Sequence, residues 1–274
     1  MRRALVLGGG GTTGIAWEIG VLDALAAGGV AVAAADRVIG TSAGAITGAM
    51  LTLGVPPDAL AGEWLAHMRT IGRVDARLVA GALLDQLLPD RVGRLRSLGS
   101  ATRVASGLSA AAFVQAISAH LIGRPWPAPL VVAAYDAAAG ARVSFDASSG
   151  VDLGLAVAAS CAMPGVFPPI EIAGRPHLDG GCGSPANVDL AADCDRLIVL
   201  TPFQFTREPH RRPRAQLNGL PAGAGWLHLH PDLAAQRAIG VDVLDAGRSA
   251  RVCEAGRRQG RAARGAALGV WGRG

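Results

Sequence analysis

The chain has 274 residues, 50% of them hydrophobic and 17% charged, which excludes a disordered chain and any need for a disulfide or metal staple. All 26 basic residues are arginine, so every mechanism that needs a lysine is excluded: no P-loop lysine, no Schiff base, no kinase lysine. With 21 acidic residues the net charge is +5, a weak bias toward anionic partners such as phosphate head groups.

The pattern alternates strand and helix from the start. Residues 4–8 form a short apolar strand, 9–14 a glycine loop, and 15–27 a helix with Ile15, Ile19, Leu22 and Ala26 at helical spacing. A second short strand at 37–40 runs into an apolar helix over 43–54, which Pro56-Pro57 ends, and 58–69 reads as a further helix. The pattern weakens over 70–109, read as a helical cap or insertion, and turns helical again over 110–122. Residues 129–135 and 141–145 form one hairpin, and 170–173 and 176–178 another, with a short helix at 153–160 between them. A buried strand follows at 196–201, then a Pro/Arg/Gly-rich loop over 206–225 and an Ala/Arg-rich helix over about 232–264 whose arginines form a solvated face. This order predicts one α/β domain over residues 1–274, a three-layer α/β/α sandwich with a mainly parallel central sheet.

No apolar run is long enough for a signal sequence or a bilayer span, so a cytoplasmic protein touching membranes at most from outside is expected. Cys161, Cys182, Cys194 and Cys253 form no C-x-x-C pair and have no histidine at zinc spacing, so they read as reduced, buried thiols and no metal is expected.

Three motifs carry chemistry. Gly40-Thr41-Ser42-Ala43-Gly44 matches G-x-S-x-G between an apolar strand and an apolar helix. Such a turn is strained and needs small residues on both sides of the serine. It lifts the Ser42 hydroxyl out of the sheet beside a helix N-terminus, where developing negative charge is favoured. The loop Gly8-Gly9-Gly10-Gly11-Thr12-Thr13-Gly14 offers bare N–H groups to an anion, either as an oxyanion hole or as a dinucleotide fingerprint through Gly9, Gly11 and Gly14. The fingerprint wants an acidic residue after the second strand, but Asp36 precedes that strand, which favours the oxyanion reading. In His177-Leu178-Asp179-Gly180-Gly181, Asp179 is better placed than any of the six histidines to meet the serine elbow. An ordinary aspartate, with a pKa of about 3.9, is a poor base at neutral pH, and burial would raise it.

The ordered set resembles the patatin-like phospholipases over residues 4–201. It includes the stretch Ala159-Ser160-Cys161-Ala162-Met163-Pro164-Gly165-Val166-Phe167-Pro168-Pro169, similar to the family's A-S-x-A-x-P-x-x-F-P-P. The resemblance implies a modified α/β-hydrolase-like fold and a Ser–Asp dyad. Ser42 would be the nucleophile and Asp179 the proton acceptor. Gly10, Gly11 and Thr12 would supply the oxyanion hole, and Gly9, Gly14, Gly40, Gly44, Gly180 and Gly181 would support the motifs. It implies a lipid-ester substrate, no cofactor and no nucleic acid, and leaves His177 a structural residue. The few aromatics point to an acyl channel of Leu, Val, Ala and Met, with Phe167 a candidate for its wall. Two departures stand out: Thr13 replaces the family's usual arginine or lysine, and the Trp17-Glu18 region is one residue longer than the common pattern. The alternatives are a catalytically idle lipid-binding relative and a dinucleotide-binding protein. Residues 70–109 and 205–274 match no family pattern and are expected to shape the acyl pocket and its entrance.

Overall fold

The structure is a computed structural model that describes residues 1–60, 81, 91–99 and 106–272. It is a mixed α/β fold with a central sheet flanked by helices. The strands are β1 (Arg3–Leu7), β2 (Arg37–Thr41), β3 (Leu130–Asp136), β4 (Ala141–Phe145), β5 (Ile170–Ile172), β6 (Arg175–Asp179), β7 (Arg196–Leu200) and β8 (Gly225–Leu229). The helices are α1 (Gly11–Ala27), α2 (Ala43–Thr52), α3 (Arg91–Gly99), α4 (Ala110–Ser118), α5 (Leu153–Ser160), α6 (Pro213–Asn218), α7 (Leu233–Ile239) and α8 (Ser249–Trp271).

The sheet runs β5-β6-β3-β2-β1-β7-β8, with β4 also on β3. The pairs β3-β2, β2-β1, β1-β7 and β7-β8 are parallel, whereas β4 and β6 run antiparallel to β3, and β5 antiparallel to β6. Period-two alternation divides β1 between two cores. Leu5 and Leu7 join Val38, Val132 and Leu200 under α1, α2, α5 and α8, and Ala4 and Val6 join Ile39, Leu197 and Val199 on the other face. That second face is thinly covered by the short turn Val188–Ala191 and the six-residue α6, so the two outer layers are unequal.

Register sets where the chemistry can be. β2 ends with Thr41 paired to Ala133, and β6, coming from the opposite direction, ends with Asp179 paired to Ala134. The two strands meet end to end along β3, so Ser42 and Asp179 emerge beside consecutive residues of one strand. Both hairpins and the strand at 196–201 form as expected.

The C-terminal third differs from expectation. The region read as a loop contains α6 and leads into β8, and the single helix expected over 232–264 is two, α7 and α8. β8 lies at the sheet edge with every residue half-buried, so it has no alternation to read. Gly240, at φ 72°, ends α7 in the left-handed region, where the preceding Ala/Arg pattern gives no stop signal. The arginines of α8 do form a solvated face: Arg251, Arg258, Arg261 and Arg264 are exposed. The helix expected over 58–69 and most of the insertion over 70–109 lie outside the described residues, apart from a helical turn at 57–60, α3 and the start of α4. Among the described residues no helix is long and apolar enough to cross a membrane.

Candidate active site

The strand–turn–helix around Ser42 has the geometry that its small residues permit. Ser42 sits at φ 52°, ψ −117°, one of three non-glycine residues in the left-handed region among those described. Strain of this kind persists only where the surroundings over-determine it, and here they do. The Ser42 N–H donates to Ser160 Oγ (2.8 Å), and that hydroxyl donates to the Ala133 carbonyl (2.6 Å), which ties the turn to β3 and to the end of α5. Behind the serine, the Gly44 N–H donates to the Gly8 carbonyl (3.0 Å). A Cβ at Gly44 would overlap the Leu7 carbonyl, and one at Gly40 would lie 2.5 Å from Ala45 Cα.

Asp179 is buried, and its backbone N–H donates to the Ala162 carbonyl (2.9 Å). Its Oδ1 accepts from the Gly181 N–H (2.7 Å), and the Ser42 hydroxyl shares the cleft with the carboxyl group and favours its ionised form. Burial pushes its pKa up to about 6, with the Ser42 hydroxyl and the Gly181 N–H opposing the rise. A Cβ at Gly180 would strike the Ala133 carbonyl, which explains the glycine after the aspartate. The Cys161 thiol is buried, and burial holds it neutral by raising its pKa.

The glycine loop is clipped from several sides. Gly8 and Gly9 N–H groups donate to the Leu200 and Pro185 carbonyls (2.9 Å each), Thr13 N–H to Val243 (3.0 Å) and Gly14 N–H to Gly10 (2.9 Å). The N–H groups of Gly10, Gly11 and Thr12 have no backbone acceptor among the described residues. Thr12 Oγ1 is likewise buried without a partner. Three amides at the start of α1 are therefore available to an anion beside Ser42. Thr13, in place of a basic residue, anchors a remote segment: its Oγ1 adds a second bond to the Val243 carbonyl (3.2 Å).

Gly9, Gly10, Gly11, Ser42, Asp179 and Gly181 line one narrow cleft of about 60 Å³. Its other walls, Met163, Pro185, Phe203, Phe205 and Val243, are mostly apolar. Of these, only Met163 lies in a motif singled out from the sequence. Phe203 and Phe205 precede the expected loop, and Val243 sits where a continuous helix was expected; none carried a signal of its own. Phe167 is not part of the wall, because its ring stacks on Phe113 (centroids 4.6 Å apart) inside the core. His177 is held by the Arg175 carbonyl (2.8 Å from Nδ1) and packs on Phe145, as a structural residue would. Asp36 caps the opposite end of the sheet, where its Oδ2 accepts from the Arg3 N–H (2.7 Å), so the acidic partner of a dinucleotide fingerprint is absent from the loop's end. Trp17 turns away from the cleft to bond Gln259 on α8 (3.0 Å).

The chain matches the family description "Patatin-like phospholipase" over residues 5–192. It is 30% identical over 211 residues to uncharacterized NTE family proteins of Mycobacterium bovis and Mycobacterium tuberculosis, covering 76% of this chain. The chain spans 31% of the length of those relatives. Among solved structures, VipD from Legionella pneumophila aligns with 97% of this chain and 67% of its own at 15% identity and a TM-score of 0.49. The type III effector protein ExoU aligns with 97% of this chain and 53% of its own at 20% identity and a TM-score of 0.48. With a family match across more than half of its length, the chain belongs to the patatin-like phospholipase family.

Proposed function

We propose that the protein is a serine acyl hydrolase that cleaves lipid carboxylic esters through a Ser42–Asp179 dyad. The observation that carries this reading is a single constellation. A strained serine shares one cleft with a buried carboxyl whose pKa is about 6, beside three amides without backbone acceptors. A base of that pKa is largely ionised at neutral pH and basic enough to take a proton in the transition state.

The steps follow from the geometry. Ser42 Oγ attacks the ester carbonyl carbon while Asp179 takes its proton, and the Gly10, Gly11 and Thr12 amides hold the developing oxyanion. The tetrahedral intermediate collapses, the C–O bond to the alcohol breaks, and Asp179 gives its proton to the leaving oxygen. Water then attacks the acyl-serine with Asp179 again as base. A second tetrahedral intermediate releases the carboxylic acid and restores Ser42. No step needs a metal or cofactor.

The apolar walls suit an acyl chain. Two lips frame the cleft, each hung on the glycine loop. The Phe203 N–H donates to the Gly9 carbonyl (3.2 Å), and Val243 accepts from Thr13. Their outer residues Phe205 and Val241 are 74% and 89% exposed. Arg207, Arg211, Arg212 and Arg214 follow the first lip in sequence. This favours substrate taken from a lipid surface, which the lips meet from outside.

The test is turnover on a panel of lipid esters by the wild type, Ser42→Ala and Asp179→Asn. Both variants are expected to lose at least about 10³ in kcat while remaining folded. Turnover near wild type in folded Asp179→Asn overturns the dyad.

A further inference from the structure

The steps above leave one buried acid unused. Glu18, in the added Trp17-Glu18 stretch of α1, is completely buried. Its Oε2 lies 3.1 Å from Thr47 Oγ1 on α2, so the carboxyl joins α1 to α2. Among the described residues Oε1 has no hydrogen-bond partner.

Counting protons fixes its state. Thr47 has one hydroxyl proton and two oxygens in reach, Glu18 Oε2 at 3.1 Å and the Ala43 carbonyl at 3.2 Å. An ionised Glu18 would claim that proton and still be a buried charge with no cation beside it among the described residues, an expensive arrangement. The arginine of α8 that reaches α1, Arg257, is bound to Asp23 (2.5 Å) and does not act on Glu18. A neutral Glu18 resolves the count. It donates to Thr47 Oγ1, and Thr47 donates to the Ala43 carbonyl. Burial drives the group the same way, raising its pKa well above the carboxylate range.

The relay lies behind the proposed catalytic groups. Ala43 follows Ser42 directly, and Gly8 begins the loop whose later amides face the oxyanion. Gly8 and α2 are themselves joined by the Gly44 N–H to Gly8 carbonyl bond (3.0 Å). We propose that Glu18, as a neutral acid, is a positioning residue that clamps the first turn of α2 to α1, the helix whose first residues carry the oxyanion amides, and so fixes Ser42 against those amides. This rests on the Ser42–Asp179 reading of the site.

The experiment measures kcat and KM on a soluble short-chain ester for the wild type, Ser42→Ala, Glu18→Gln, Glu18→Leu and Thr47→Val, each checked by thermal melting. A glutamine amide can still donate to Thr47 Oγ1, so Glu18→Gln should keep kcat within about threefold. Folded Glu18→Leu and Thr47→Val should each lose about tenfold or more in kcat with KM little changed, the mark of misplaced catalytic groups. Wild-type kcat in folded Glu18→Leu overturns the inference, as does a Gln variant as impaired as the Leu one. If Glu18→Leu does not fold, Thr47→Val decides alone, and wild-type kcat there overturns the inference. Turnover that persists in Ser42→Ala defeats the Ser42 reading instead, so the two failures are told apart.

Discussion

Two glycine-rich turns meet at the cleft, and they are held in different ways. The turn at 40–44 is fixed by packing within the motif and by elements that directly adjoin it on the sheet: Gly44 against the Leu7 carbonyl, Gly40 against Ala45, and Ser160 bridging Ser42 to β3. The loop at 8–14 is fixed from afar, by backbone carbonyls of Pro185, Leu200 and Val243, about 170 to 230 residues along the chain. The first arrangement makes a rigid, strained serine. The second leaves three amides without backbone acceptors and lets the C-terminal segment shape the site, so changes in the 240s should tune activity without dismantling the fold.

Substituting the glycines separates the two. Gly44→Ala forces a Cβ into the Leu7 carbonyl, backbone against backbone, and should cost at least about 3 kcal/mol of stability. A large fall in melting temperature checks it. Gly11→Ala meets the Val243 carbonyl at 2.7 Å, outside the sheet and its packed helices, and sits at φ 63°, so the protein should fold while kcat falls about 10²-fold through a displaced oxyanion donor. Equal losses of stability in the two variants would erase the contrast.

The pH profile sharpens the account of Asp179. The proposed dyad needs the carboxylate, and burial puts its pKa at about 6, so kcat/KM should rise about tenfold per pH unit below that value and level off above it. The sign for stability is opposite. The raised pKa favours the protonated fold, so Asp179 contributes most below its ordinary range near 3.8, and that contribution is lost as pH rises through about 6. Folded Asp179→Asn should therefore gain on the wild type in melting temperature from pH 4 to pH 8 by several degrees. A profile flat from pH 4 to 8 would contradict a carboxylate base.

The smallest expected effect is at Thr13. Thr13→Val removes the 3.2 Å hydroxyl bond to Val243 but keeps the 3.0 Å N–H bond, so kcat should fall only severalfold, with melting little changed. No effect at all would mean that the amide alone holds the C-terminal lip.

The same contrast explains what could be read from the sequence. The turns that hold Ser42 and Asp179 were legible because strained turns and close approaches demand glycine at fixed offsets, and those glycines are visible as letters. The sheet's central strands were legible as short apolar runs. β8 was not, because an edge strand of half-buried Trp226, Leu227 and His228 lacks alternation. Val243 was not, because it holds the loop through a backbone carbonyl, which every residue carries. Glu18 had no signal of its own in the sequence, because its burial and its bond to Thr47 depend on how α1 packs on α2.

The most direct measurement of the central claim is intact mass after exposure to a long-chain fluorophosphonate, for the wild type, Ser42→Ala and Asp179→Asn in parallel. The account predicts a single adduct on the wild type, mapped to Ser42, absent from Ser42→Ala and greatly slowed in Asp179→Asn. A folded wild type that takes no adduct, or one that carries it on another residue, would contradict an activated Ser42.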